Sequence, residues 1–216
     1  MTLVIRPTKT APVPGLGLDR ERFFLAEGYR CVAGLDEVGR GPLAGPVVAA
    51  AVVLEPDRVP EGLADSKALT AARREELLPE ILRIAHVGVA CVSHVEIDAI
   101  NIRQASLLAM CRALAALPCT PDMALVDGND PPGLPCSVET VVKGDATVAS
   151  IAAASIVAKV VRDRLMRRLG ALYPAYGFET NAGYATTSHL EALEAHGPCP
   201  FHRISFSPLR QGRLEV

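Results

Sequence analysis

Tryptophan is absent from this chain and aromatic residues make up only 4 % of it, so its interior cannot be built around large rings. Small and branched aliphatic side chains must fill it instead, which suits helices packed closely on a sheet. The longest strictly apolar run, 47–54, is far short of the roughly 18–20 residues of a membrane span. Residues 1–10 carry Arg6 and Lys9 with no apolar stretch behind them, so neither secretion nor membrane insertion is expected. Cys31, Cys91, Cys111, Cys119, Cys136 and Cys199 include no CxxC pair, and a chain of 216 residues needs no covalent staple. They are expected to be free, mostly buried thiols in a reducing cytoplasm. Zinc-type spacings such as HExxH are missing, and so is a GxSxG nucleophile turn. His86, His94, His189, His196 and His202 are therefore expected to face solvent or to be structural.

An overall basic excess is also lacking, because the formal net charge is −2. Duplex-binding proteins commonly carry a basic face, so any such signal here must be local. One local cluster exists: Lys159, Arg162, Arg164, Arg167 and Arg168 surround a single acid, Asp163, and Arg203, Arg210 and Arg213 follow in the tail. On its own this reads as a solvated helix face.

Half of the residues are apolar, enough for the core of one domain. Residues 1–20, with Pro7, Pro12, Pro14, Gly15 and Gly17, read as a flexible arm, and 21–216 as one folded unit with a helical C-terminal extension from about 170. An apolar strand over 31–35 ends in Asp36, and a glycine-rich turn leads into a second strand over 47–54, the two forming a hairpin. A helix follows from 69–70 to about 84 with Thr70 as N-cap, then a strand over 87–92 and a helix over 101–117. Strand 123–126 delivers Asp127, strand 137–142 follows, and a long helix spans 147–169 with Gly170 as its terminator. Alternation of this kind predicts an α/β fold.

Asp36, Asp127 and one later carboxylate lie at strand ends or on a helix that would cover the sheet, where an unpaired charge is costly. Phosphodiester hydrolysis is one chemistry that needs such a group. Two divalent ions about 3.5–4 Å apart, held by carboxylates, activate a water and absorb the charge that accumulates. Oxygen ligands select hard ions of the magnesium or manganese type. The later acid is Asp145 or Asp163. If the helix runs unbroken from near 147, the two stand about 27 Å apart along its axis and cannot share one ion pair. Asp145, before the helix, is expected to cap its free N–H groups. Asp163, inside the helix one turn beyond Lys159, reads either as a metal ligand or as an ion-pair partner.

The run Gly34-Leu35-Asp36-Glu37-Val38-Gly39-Arg40-Gly41-Pro42-Leu43-Ala44-Gly45-Pro46-Val47 resembles the opening signature of bacterial ribonuclease HII. Asp65-Ser66-Lys67, Asn101-Ile102-Arg103-Gln104-Ala105-Ser106, Val126-Asp127-Gly128 and Lys143-Gly144-Asp145-Ala146 follow in order. The run from Ser150 to Lys159, then Arg162-Asp163, Gly183-Tyr184, His189 and His202-Arg203 complete a resemblance that covers nearly the whole chain. It implies a ribonuclease H-like mixed sheet flanked by helices and an endonuclease acting on RNA/DNA hybrids and on ribonucleotides embedded in duplex DNA. Catalysis would use two Mn2+ or Mg2+ ions held by Asp36, Glu37, Asp127 and Asp163. Gly39, Arg40 and Gly41 would recognise the 2′-OH, Tyr184 would stack on the neighbouring sugar, and Lys67 and Lys143 would complete the substrate-binding set. A cytoplasmic monomer is expected. Ala68 and Ala182 stand where relatives often carry basic residues, which bears on affinity and salt dependence.

Two rival readings differ from this one. Ribonuclease HIII shares the chemistry but carries an extra N-terminal domain, for which 35 residues before Asp36 leave no room. A catalytically dead binding module on the same fold would not need all four carboxylates.

Overall fold

A computed structural model describes residues 15–210. The expected hairpin forms from β1 (Val32–Val38) and β2 (Val47–Val53), antiparallel, with Asp36 opposite Ala50. β3 (His86–Val92) adds antiparallel to β2. On the other side of β1, β4 (Met123–Asp127) and β5 (Ser137–Val141) run parallel to it, giving a mixed five-stranded sheet in the order β3-β2-β1-β4-β5. Every residue of β2 but the last is buried, which is why its sequence reads as a continuous apolar run and not as an alternation.

Helices cover both faces. α3 (His94–Ile100) and α4 (Ile102–Ala115) lie on the side of Ala33, Leu35, Val47 and Ala49. α2 (Ala71–Ile84) and α5 (Ala149–Leu172) pack on the side of Val48, Ala50 and Val52. α1 (Asp19–Ala26) contributes Phe24 to a smaller cluster with Val32, Leu125 and Ile151. The small side chains permit close approach. A Cβ at Gly34 would lie 2.3 Å from the Ser150 carbonyl carbon, so β1 and α5 meet backbone to backbone. Beyond α5, α6 (Phe178–Asn181) and α7 (Thr187–His196) form the extension, whose cluster of Tyr176, Phe178, Ala192 and Cys199 closes on Ala44 and Met166. Among the described residues no helix is long and apolar enough to cross a membrane.

Several expectations are corrected. Of the arm expected over 1–20, residues 1–14 lie outside the described residues, but Gly17 is docked, donating to Thr147 O and accepting from Ala149 N. α5 begins at Ala149 and runs through Gly170, which is no terminator: a Cβ there would lie 2.5 Å from the Glu179 carboxylate, so glycine lets α6 pack against the helix. Asp145 does not cap α5. Val148 holds the N-cap position without a side-chain bond, and Asp145 sits in a separate 3-10 turn, Gly144–Ala146. α3 was not expected; a Ser93/Glu96 capping box starts it. The six thiols are free, but only Cys136 and Cys199 are buried, and Cys91 is exposed. The basic cluster is not one solvated face either. Arg162 is fully buried, while Arg164 and Arg167 both pair with Glu75 of α2.

Candidate active site

β1 and β4 are parallel, with Leu35 beside Val126, so Asp36, Glu37 and Asp127 emerge together at their C-terminal ends. Open α/β sheets commonly place their sites at such strand ends. Asp127 Oδ1 accepts from the amides of Gly144 at 2.7 Å and Asp145 at 3.4 Å, which draws the 3-10 turn against the acids. Asp145 Oδ2 lies 2.8 Å from Lys67 Nζ, and Glu37 Oε1 lies 3.1 Å from Arg40 Nη1. Behind Asp36 stands Ser155 of α5, whose Oγ is 2.8 Å from Ser66 Oγ.

Burial pushes the Asp36 carboxyl well above the usual carboxylate range, and the charges of Glu37 and Asp127 push it the same way. The Ser155 hydroxyl and the Glu37 amide oppose that shift. Glu37 is raised by burial first, with Arg40 pulling against it and Asp127 adding to it. Asp127 is raised by burial and then by Asp145. Lys67 is held charged above its ordinary range chiefly by its hydrogen bond to Asp145. Four carboxylates are thus linked pairwise, Asp36 with Glu37 and Asp127, and Asp127 with Asp145, with two exposed cations, Arg40 and Lys67, at the edge. Negative charge is in excess.

Asp163 is not part of this group. It pairs with Lys159 Nζ at 2.7 Å and Arg74 at 3.9 Å. It lines a groove of about 540 Å³ between α2, α5 and α6, together with Glu75, Arg167 and Glu179. Ser155, the α5 residue behind Asp36, precedes it by eight positions, about 12 Å along the helix.

The expected recognition residues do come together. Gly39 turns the chain at φ +96°, Arg40 and Gly41 are exposed at the tip, and a Cβ on Gly41 would lie 3.6 Å from the Tyr184 ring. Tyr184 is 44 % exposed, so it is available to stack and is not a core residue. Lys143, exposed and left-handed at φ 57°, precedes the 3-10 turn on the acid side.

Four residues quoted in the sequence motifs carry structural roles that charge pattern alone does not show. Arg162 and Arg203 are fully buried beneath the glycine turn. His189 and His202, also buried, meet through Nε2 atoms 3.0 Å apart. His202 Nδ1 accepts from the Cys199 amide at 2.9 Å, so its Nε2 carries the proton and donates to His189. His189 Nδ1 in turn donates to Tyr184 O at 2.8 Å.

Acids that raise one another at adjacent strand ends need cations more than a proton-transfer partner. A mixed five-stranded sheet covered on both faces, with acids gathered at adjacent strand ends, is the architecture of the ribonuclease H-like class. Solved structures share the architecture. Ribonuclease H2 from Pyrococcus horikoshii superposes with a TM-score of 0.73 at 30 % identity, covering 84 % of this chain and 96 % of that one. Bst-RNase HIII in complex with Mn2+ gives 0.70 at 20 % identity, covering 85 % and 69 %, a likeness of fold alone. The family model described as Ribonuclease HII matches residues 33–208, and the Ribonuclease HII of Xanthobacter autotrophicus is 59 % identical over 213 residues, 97 % of this chain and 86 % of that protein. The chain belongs to the ribonuclease HII family, divalent-metal-dependent endonucleases that cleave the RNA strand of RNA/DNA hybrids.

The residues suit such a metal. Among the described residues no three Asp, Glu, His or Cys side chains already converge around one point as they would on an ion. Yet the donors at the strand ends are all carboxylate oxygens, the set that hard divalent ions prefer. Their mutual repulsion is what a cation would relieve.

Proposed function

We propose that the protein incises on the 5′ side of a ribonucleotide embedded in duplex DNA, as well as within RNA/DNA hybrids, using two divalent ions held by Asp36, Glu37, Asp127 and Asp145. One observation carries the choice of acids: Asp145 lies against Asp127, its amide reaching that carboxylate and its charge raising it, whereas Asp163 stands about two turns of α5 beyond Ser155. Asp145 therefore replaces Asp163 in the set that the sequence suggested. When bound, the ions supply an acidified water and neutralise charge that builds on the phosphate.

The chain's own groups do the rest. Asp36, Glu37 and Asp127, whose raised affinity for protons comes from burial and from neighbouring acids, Asp145 among them, would hold the ions as carboxylates. Arg40 and Lys67, each held by an acid, exchange those partners for substrate phosphates, and Lys143 meets the same strand. The Gly39-Arg40-Gly41 turn reads the 2′-OH at close range because its glycines leave the backbone uncovered. Tyr184 beside it stacks on the adjoining deoxyribose. The reading includes Mg2+ or Mn2+ as the working ion and a monomer in the cytoplasm.

Incubation with a duplex holding a single ribonucleotide, under Mg2+ and under Mn2+, tests the reaction. Ends bearing a 3′-OH and a 5′-phosphate are expected. A 2′,3′-cyclic phosphate would overturn the reading, because the 2′-OH and not water would be the nucleophile.

A further inference from the structure

Arg162 and Arg203 are each 0 % exposed, and among the described residues neither pairs with a carboxylate. A buried guanidinium is costly unless its donors are met, and here backbone carbonyls meet them. Arg162 donates from Nε to Pro46 O at 3.0 Å, from Nη1 to Ala182 O at 3.0 Å and from Nη2 to Ala44 O at 3.3 Å. Arg203 donates from Nε to Gly45 O at 3.0 Å, from Nη1 to Arg40 O at 2.9 Å and from Nη2 to Gly39 O at 2.6 Å. Burial lowers the Arg203 guanidinium to about 9, which leaves it charged at neutral pH.

The bonds of Arg203 fall on two successive peptides. In a planar trans peptide the N–H points opposite to the C=O. With the oxygens of Gly39 and Arg40 drawn inward, the N–H groups of Arg40 and Gly41 are turned outward at the exposed tip. Neither finds an acceptor among the described residues. Arg162 acts from below. Its Nε lies 2.1 Å from where a Cβ on Gly39 would stand, so only glycine fits above it. Its bond to Ala182, with Leu43 N donating to Gly183 O at 2.8 Å, ties the turn to the loop that carries Tyr184.

We infer that Arg162 and Arg203 are positioning residues whose guanidinium forks hold the amides of Arg40 and Gly41 as a pair of donors toward the substrate strand. This pinning sets the preference for a ribonucleotide over a deoxyribonucleotide. The inference rests on the proposed role of Gly39-Arg40-Gly41. Lysine keeps the charge but cannot span three carbonyls, because its donors radiate from one nitrogen.

The test compares wild type, Arg203→Lys and Arg162→Lys. It measures KM and kcat on a single-ribonucleotide duplex and the inhibition constant of an all-DNA duplex of the same sequence. The ratio of that inhibition constant to KM is expected to fall by roughly three- to tenfold in both variants, the size of one lost hydrogen-bonding contact, while the inhibition constant itself holds. In protein labelled with nitrogen-15 glycine, the Gly41 amide resonance moves and that of Gly128 stays. Leu114→Ala, in the opposite core layer, lowers the melting temperature without changing the ratio. An unchanged ratio in folded lysine variants overturns the inference, as does a parallel worsening of both constants, which marks a merely structural role. If Arg203→Lys does not fold, Arg162→Lys decides, and if neither folds the inference falls. A wild-type ratio near one would instead sink the reading of the glycine turn itself.

Discussion

Buried charge occurs twice in this molecule and is treated in opposite ways. At the ends of β1 and β4 the acids are wholly or partly buried yet repel one another, and among the described residues Arg40 and Lys67 are the cations that pair with them. Beneath the glycine turn two guanidiniums are buried more completely and every arm of each fork meets a carbonyl. Charge satisfied by the protein's own backbone builds a rigid part. Charge left in mutual conflict holds a place for a ligand of opposite sign.

The sharpest way to break this comparison is Asp36→Asn. Turnover is expected to fall by orders of magnitude, while the melting temperature without metal stays level or rises. The sign follows from the raised folded pKa: as pH climbs from the unfolded value through the folded one, ionising Asp36 costs stability, and asparagine removes that cost. A variant that melts much lower, or that cleaves normally across a Mg2+ titration, would show that the acids are not in conflict over a metal.

A smaller contrast separates the two later acids. Asp145→Asn should slow single-turnover cleavage by about 100-fold or more, beyond the usual cost of an outer-shell partner. Asp163→Asn should stay within a few-fold of wild type, because it breaks only a part-exposed ion pair with Lys159 and a long contact to Arg74. The reverse order would restore Asp163 to the site. For Tyr184→Ala the expected loss is selective, about tenfold greater on a single embedded ribonucleotide than on a uniform hybrid, since stacking contributes roughly 1–3 kcal/mol and needs a junction. Equal losses on both substrates would remove Tyr184 from recognition.

A last effect, on stability and not on cleavage, concerns the histidine pair that supports the Tyr184 loop. Burial lowers His202 to about 4 and lowers His189 as well, so the folded state resists protons that the unfolded chain accepts. Stability is unaffected above the unfolded value near 6.5 and is lost as pH falls from there toward 4, by on the order of 3 kcal/mol for His202. Melting curves across that window check it: His202→Asn should flatten the acid slope, and an unchanged slope would place the acid sensitivity elsewhere.

Much of the frame was legible because two-sided burial leaves a plain mark. Val47–Val53 must be apolar throughout, and Asp36 and Asp127 stand out where such runs stop. The later acid of the proposed set was not legible: the resemblance points to Asp163, and the expected start of α5 leaves Asp145 a capping role. A helix starting at 147 makes Asp145 a cap, whereas the actual start at Ala149 frees it for a turn that Asp127 holds by two amides. α3 escaped notice as a seven-residue helix with three ionisable side chains, too short to show a period. Arg162 was hidden by company: among four other cations nothing in the pattern marks the one that points inward.

Order of synthesis adds a consequence to the long reach of the two forks. The strand ends and the 3-10 turn bring in their carboxylates by residue 145, but the carbonyls of Gly39 and Arg40 wait for Arg203, more than 160 positions downstream. Because chains emerge from the amino end, the acids are made long before the turn beside them can be locked. A translation product stopped short of Arg203 would carry the acids without the fork that holds the Gly39 and Arg40 carbonyls.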